Sequence, residues 1–364
     1  MCINRNPQSS MEKTVFTKAL SIMVLPGIFC LLLLNSCSSN QAKDATDKLE
    51  LVPLARTWTA HVRGLDMVDD QIAWASGSRG HFMRCIDGLT WSFDTIPGFT
   101  HLDFRDVEGF DAMNALVMAS GVEGVILRTS DGGLSWHEVY ANHAEGIFLD
   151  GMDFQGKKGY CYGDPVNGKT FLIESEDAGV TWKESDTADL PEVLDNEAGF
   201  AASGTGICHV EDRVFIATGG GETARIFHFK SSASEAINVS ETPLLSEEGC
   251  GIFSIAFKDA EHGIAVGGCY LDSTNAEGNC AITSDGGLNW KEFIQNGPRG
   301  YRSCVAYAPE AGFYLTCGRT GIEYSIDEGN SWTPLSDEGY FTCSLSNKHG
   351  WLMGRNGKIA HLTW

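Results

Sequence analysis

The sequence predicts an all-β fold, a seven-bladed β-propeller of four-stranded antiparallel blades. Three observations carry that prediction: a turn motif recurring at near-constant spacing, strand-like apolar runs grouped between the turns, and a composition rich in glycine and tryptophan. The chain has 364 residues with 42 Gly and 9 Trp, and 43 % of it is hydrophobic against 20 % charged. Those proportions exclude a disordered chain and a coiled coil.

Residues 1–36 read as an address that precedes the fold. Arg5, Lys13 and Lys18 lead into an apolar run, Ala19 to Leu34, which ends in Asn35-Ser36-Cys37 followed by Ser38-Ser39-Asn40. The run is short for a membrane span and is interrupted by Pro26-Gly27, as expected of a secretion signal. Small residues before a cysteine at its end resemble the lipobox of bacterial lipoproteins, which implies acylation of Cys37 and an envelope location, with the lipid anchor as the sole membrane attachment. Residues 37–48 are expected to form a tether and 49–364 the propeller.

Four segments share the pattern [S/T]-x-D-x-G-x-x-W: Thr129 to Trp136 with Asp131, Ser175 to Trp182 with Asp177, Thr283 to Trp290 with Asp285, and Ser325 to Trp332 with Asp327. A degenerate fifth, Asp87-Gly88-Leu89-Thr90-Trp91, places its Asp one residue late. The Trp positions step by 45, 46, 108 and 42, so a unit without the motif is expected near 225–237. Within each unit glycine supplies the positive φ, the Asp caps the turn through its side chain, and the Trp packs over it. In the second unit the strands read Phe104 to Phe110, Asn114 to Ala119, Val125 to Thr129 and Trp136 to Tyr140, with the motif between the third and fourth.

Strand sets begin near 62, 104, 148, 202, 252, 301 and 341, which counts seven units. The last ends one strand short at Trp364, and Leu49 to Leu54 is expected to supply that strand, so that pairing of the chain ends closes the ring and removes open edges.

The turns resemble the Asp-box, or BNR, repeats of sialidases and related propellers, a group sharing WD40/YVTN-like repeat architecture. Phe104-Arg105-Asp106-Val107, Gly163-Asp164-Pro165 and the Thr-Ser-Asp-Gly-Gly-x-x-Trp turns together resemble the photosystem II assembly/stability-factor-like propellers, whose bacterial relatives include lipoproteins. The resemblance implies a binding or assembly role, and a structural role for Asp131, Asp177, Asp285 and Asp327 away from the functional face.

The opposite rim is built by the hairpins between strands two and three and by the entries to strand one. Arg63, Arg105 and Arg302 stand at strand-one entries of units one, two and six. Arg79, Arg319 and Arg355 sit in Gly-rich hairpins, and Arg225 lies nearby. A guanidinium presents a fixed fork to carboxylates and phosphates, so this concentration predicts an anion-binding mouth. Pairing with Asp66, Asp103, Asp106 or Glu323 would instead make the arginines blade ties. Two longer loops on that rim, Tyr162 to Lys169 with Asp164 and Gly267 to Cys280, are further candidates.

The chain carries 26 basic and 48 acidic residues, net −22, and loss of residues 1–37 brings this to 23 − 47 = −24. A general nucleic-acid binder is excluded, because phosphate neutralisation needs a basic surface. No zinc or other metal spacing, haem motif or dinucleotide fingerprint occurs, and Gly219-Gly220-Gly221 lacks the Lys-Ser/Thr of a phosphate loop, so no cofactor is expected. Nine cysteines follow Cys37, an odd number that cannot all pair internally; most fall in apolar strand-like runs and read as buried small hydrophobes, while Cys269 and Cys280, flanking one loop of an exported protein, are the candidate disulfide pair.

The reading that follows is a monomeric, non-enzymatic envelope lipoprotein that binds a protein, a peptide or an anionic ligand or glycan. The alternative is a sialidase-like glycoside hydrolase, against which stand the missing Phe-Arg-Ile-Pro motif and the count of seven units. Paired acids such as Asp150 with Asp153 are too common in an acidic chain to signal acid/base work. An oxidoreductase is the third class.

Overall fold

The computed structural model describes residues 41–55, 58–185, 190–232, 236–292 and 297–364. The leader 1–36 and the lipidation candidate Cys37 lie outside the described residues.

Seven four-stranded antiparallel sheets form the blades. Their innermost strands are Val62–Met67, Phe104–Gly109, Leu149–Gln155, Ile207–Val210, Cys250–Phe257, Cys304–Ala308 and Thr342–Leu345. Each touches the inner strand before and after it, and the seventh touches the first, so the ring closes around an axis. Glu50–Pro53 pairs antiparallel with Ile359–Thr363 as the outer strand of the seventh blade, with Leu51 opposite Leu362. The two chain ends thus share a blade, as the sequence predicts.

Burial falls from the axis outward, which explains why the inner runs read as continuous apolar stretches. The second strand of blade two, Ala115–Ala119, is buried throughout, whereas the fourth, His137–Asn142, is half-buried or exposed. Apolar side chains fill the spaces between blades: Trp74, Phe104, Val117 and Leu127 form one such cluster, and Phe215, Ile252, Ile255 and Trp290 another. The motif-free fourth blade runs through Arg225–Lys230 and Asn238–Glu241, where the spacing required a degenerate unit.

Part of the stretch expected to be a tether is ordered against the ring. Residues 41–46 are helical, Ala42 is buried, and Gln41 Nε2 donates to the Glu310 carbonyl at 2.5 Å.

The four Asp-boxes are joints between blades. In the first, the Thr129 hydroxyl donates to Asp131 Oδ1 at 2.9 Å and accepts from the Gly133 amide, while the Ser135 amide and hydroxyl donate to the two Asp131 oxygens. The same bonds recur around Asp177, Asp285 and Asp327. A Cβ on Gly133 would strike Phe82, one on Gly179 Leu116, one on Gly287 Phe215 and one on Gly329 Ile264, each on the preceding blade. Trp136 meets Phe82 of the preceding blade edge-on at 5.1 Å and so continues the contact, whereas Trp182 meets Phe154 of its own blade at 5.6 Å. Trp290 and Trp332 are buried in the corresponding clusters.

Candidate functional site

Strand register decides which side chains reach the mouth of the axis. The inner strands of blades one, two, three and five each slip by one residue against their neighbour, at Arg63, Arg105, Asp150 and Phe253. A bulge leaves its extra residue unpaired and re-aims it, and these four side chains line a single cavity of about 640 Å³. Its remaining walls come from Phe148, from Asp164 and Arg319 on the hairpins, from Asn196 to Ala202 ahead of blade four, and from Glu248, Tyr270 and Tyr301.

The segment before blade four is anchored from both sides. Ala198 and Gly219 exchange amide–carbonyl bonds at 2.9 and 3.0 Å, and buried Glu197 accepts from Arg225 Nε and from the Thr218 hydroxyl. Farther along, Ser203 donates to the Ser303 carbonyl at 2.7 Å, joining the segment to blade six. Phe200 stacks on Phe253 at 4.0 Å, and Phe253 meets Tyr301 edge-on at 4.7 Å, so one wall is a rigid aromatic face.

Three guanidiniums face this wall with donors to spare. Arg63 Nη1 donates to the Ala202 carbonyl at 3.2 Å, and its head lies 4.5 Å from the centre of the Phe341 ring. Arg319 Nη1 donates to the Tyr270 carbonyl at 2.9 Å. Among the described residues neither has a carboxylate at ion-pair distance. Arg105 is paired through Nε with Asp103 at 2.9 Å, leaving its Nη groups toward the Ala201 carbonyl and the cavity. Burial and the adjacent Arg105 hold the Arg63 guanidinium below its ordinary pKa, which is the sign of like charges brought together. A second hollow of about 670 Å³ shares Arg63 and Arg319 and adds Arg355, His61 and Phe341. There burial, then Arg355 and Arg63, push the His61 pKa down.

Two carboxyls from blade three line the same cavity. Asp150 is wholly buried; neither of its oxygens makes a well-formed hydrogen bond, and the Ala201 amide is a backbone donor beside it. Burial and then Asp164 drive its pKa well above the carboxylate range, while Arg105 and the Ala201 amide act the other way. Asp164 is also raised by burial, against the Gly199 amide that donates to its Oδ1 at 3.2 Å.

Arg302 does not join the mouth and corrects the sequence expectation. It sits one residue before the bulge-equivalent Ser303, at the place held by Val62, Phe104, Leu149 and Ile252, all buried between blades. A slip of one residue turns a strand side chain to the other face. Arg302 is therefore fully buried, donating through Nε and Nη2 to Glu323 at 3.2 and 2.6 Å and through Nη1 to Thr320 and the Tyr301 carbonyl. Arg79 occupies a left-handed hairpin position, φ 62°, and binds Thr59 outside both hollows. Arg225 is committed to Glu197.

The disulfide is also corrected. Cys269 bonds to Cys250, directly across the strand pair, and Cys280 remains a buried thiol beside Val266. Hairpin register, which the spacing of cysteines does not reveal, selects that partner. Asp150 and Asp153 likewise separate: Asp150 lines the mouth, and Asp153 lines a cavity of about 310 Å³ with Asp66, Asp106 and Glu108.

Sequence reasoning missed Asp150 as a mouth residue, the 196–202 segment and the aromatic wall. What marks Asp150 and Phe253 is the strand-one bulge they share with Arg63 and Arg105, a feature of strand pairing that the sequence does not display.

No family model matches the chain, and no curated protein matches it significantly. Solved structures match it over nearly its whole length. YCF48, a photosystem II assembly factor, solved bound to D1 peptide, superposes with a TM-score of 0.60 at 15 % identity, covering 87 % of this chain and 97 % of that one. Virginiamycin B lyase from Staphylococcus aureus, solved with quinupristin, gives 0.62 at 11 %, covering 87 % and 100 %. A GH74 enzyme from Niastella koreensis gives 0.58 at 14 %, covering 85 % of this chain and 53 % of that one. These similarities establish the fold: the chain is a seven-bladed β-propeller of the general kind shared by an assembly factor, a lyase and a glycoside hydrolase.

Proposed function

We propose that the chain is a non-enzymatic binding module, an envelope lipoprotein anchored through Cys37, whose mouth takes an anionic group of a protein, peptide or small ligand and serves assembly of an envelope complex. The observation that carries this reading is the convergence of Arg63, Arg105 and Arg319 on one concave, aromatic-walled cavity with guanidinium donors unused. Such a cavity favours charge-assisted, forked hydrogen bonds in a partly desolvated setting, where they are stronger than at an open surface. YCF48 with its bound D1 peptide is a structural precedent for peptide binding on this fold.

Capture of partners from the native envelope by tagged protein tests the reading. Replacing Arg63, Arg105 and Arg319 together by Ala should abolish capture while the melting transition persists. Retained capture would count against it. Replacing Cys37 by Ser should move the protein from the membrane fraction to the soluble one.

The second reading, a glycoside hydrolase acting on an anionic glycan, is favoured by Asp150 and Asp164, two carboxyls of raised pKa in the same cavity. Turnover on a panel of sialosides and uronides, lost on Asp150→Asn, would support it.

A further inference from the structure

We propose that Asp150, backed by Asp164, forms a subsite for an organic cation inside the mouth cavity. The ligand is then dipolar: a carboxylate on Arg63, Arg105 and Arg319, and an ammonium or guanidinium on the two carboxyls. The inference rests on the binding reading above and specifies the chemistry of its ligand.

Asp150 occupies the bulge position of blade three that Arg63 and Arg105 occupy in blades one and two. The same backbone device thus presents two positive groups and one negative group to a common hollow. Neither Asp150 oxygen makes a well-formed hydrogen bond, even with the Ala201 amide beside it, although the residue is 0 % exposed. A buried, unsatisfied carboxyl is costly unless a ligand completes it. Arg105 acts on Asp150 through its charge, yet it is paired through Nε with Asp103 and makes no ion pair with Asp150 among the described residues.

Gly199 packs directly on Asp150: a Cβ there would strike the Asp150 carboxylate and come within 2.9 Å of the Tyr162 ring, so the segment ahead of blade four can lie against this carboxyl only with glycine. Asp164 closes the other side, its Oδ1 on the Gly199 amide.

The charged and titratable groups around Asp150 are Arg105 from blade two, Asp164 and Tyr162 from its own blade, and Glu248 across the cavity. Two of those four, Asp164 and Glu248, are carboxyls, and Tyr162 is a neutral phenol whose pKa burial drives up, so a cation entering there meets carboxyls on two sides of Asp150's hollow and displaces the proton that the empty site retains. A metal ion is disfavoured. The sole cluster of three ligand atoms within 4.8 Å among the described residues is Glu247 with Cys250 and Cys269, and it excludes Asp150. The cavity volume, about 640 Å³, suits the end of a peptide better than a bare ion. The rings of Phe148 and Phe200 offer further surface for a cation.

Calorimetric titration with N-acetylated hexapeptides tests the subsite. The set is alanine-based with a free C-terminal carboxylate and carries one lysine at each of the three positions before the terminus. Each peptide has a counterpart with the uncharged isostere norleucine. At least one lysine peptide should bind wild type tenfold or more tightly than its norleucine counterpart. That discrimination should vanish in Asp150→Asn and shrink in Asp164→Asn, with melting transitions unchanged. Equal binding of lysine and norleucine peptides overturns the subsite and leaves the arginine reading standing. Failure of every free-acid peptide to bind wild type overturns both. Calcium chloride that binds alone, and is lost on Asp150→Asn, overturns the organic-cation assignment.

Discussion

Arg63 and Arg302 are the same residue type one register position apart, and that single step separates a group that lines the mouth cavity from one buried within a blade. Arg302 and Glu323 have no exposed side-chain surface to speak of, 0 % and 1 %, so removing one leaves the other charged and dry. Arg302→Ala should destabilise by about 3 kcal/mol, near the lower end for breaking a buried pair because Arg299 still binds Glu323. Arg63→Ala forfeits a carbonyl bond and a ring contact, about 1 kcal/mol, and should weaken ligand capture instead. Chemical denaturation of the two variants measures the split. Arginine at both positions was legible in the sequence. The bulge that turns one outward and buries the other was not, because it is a property of pairing with the neighbouring strand. Asp150 escaped notice for the same reason: its meaning lies in sharing a position with Arg63 and Arg105.

At the scale of the element, the Asp-box was the most legible feature, since its bonds are local and its residues are contiguous. Asp131 shows the consequence: the Ser135 hydroxyl and amide pull its pKa down to about 2. What the motif did not disclose is its use as a joint. Gly179 has φ 73° and rests on Leu116 of the preceding blade, so Gly179→Ala should cost about 2 kcal/mol or more, by combining strain with overpacking. Ligand capture should survive at temperatures below the lowered melting point, because the box lies on the face opposite the mouth. The Cys250–Cys269 link is likewise a matter of strand pairing. Non-reducing peptide mapping should recover a fragment joining those two cysteines, with Cys280 alkylated only after unfolding. A Cys269–Cys280 fragment would contradict the register.

For the whole molecule, closure and charge set the pH response. Asp66 and Asp153 line the far end of the axis, where burial raises their carboxyls to about 6 and about 7. The folded state therefore binds protons that the unfolded chain releases near pH 4, and stability falls as pH rises from there to about 7. Asp131 acts in the opposite sense. Its lowered pKa adds stability above about pH 4, which is lost as pH falls toward 2. The melting temperature should peak in mild acid, and Asp153→Asn, which keeps one acceptor oxygen where the carboxyl takes both the Phe154 and the His209 amides, should flatten the neutral side while lowering the transition overall. Truncation of residues 41–54 removes the outer strand of the shared blade and should replace one cooperative transition by a broad one.

On the proposed function, guanidinium groups left without a carboxylate partner in the mouth recognise a carboxylate on the ligand. The most direct measurement is retention of a random peptide library on immobilised protein, compared as free acids and as C-terminal amides, for wild type and for Arg63→Ala/Arg319→Ala. Wild type should retain a subset of the free acids, and both amidation and the double substitution should deplete that subset tenfold or more. Equal retention of acids and amides, or undiminished retention by the folded variant, would contradict the account.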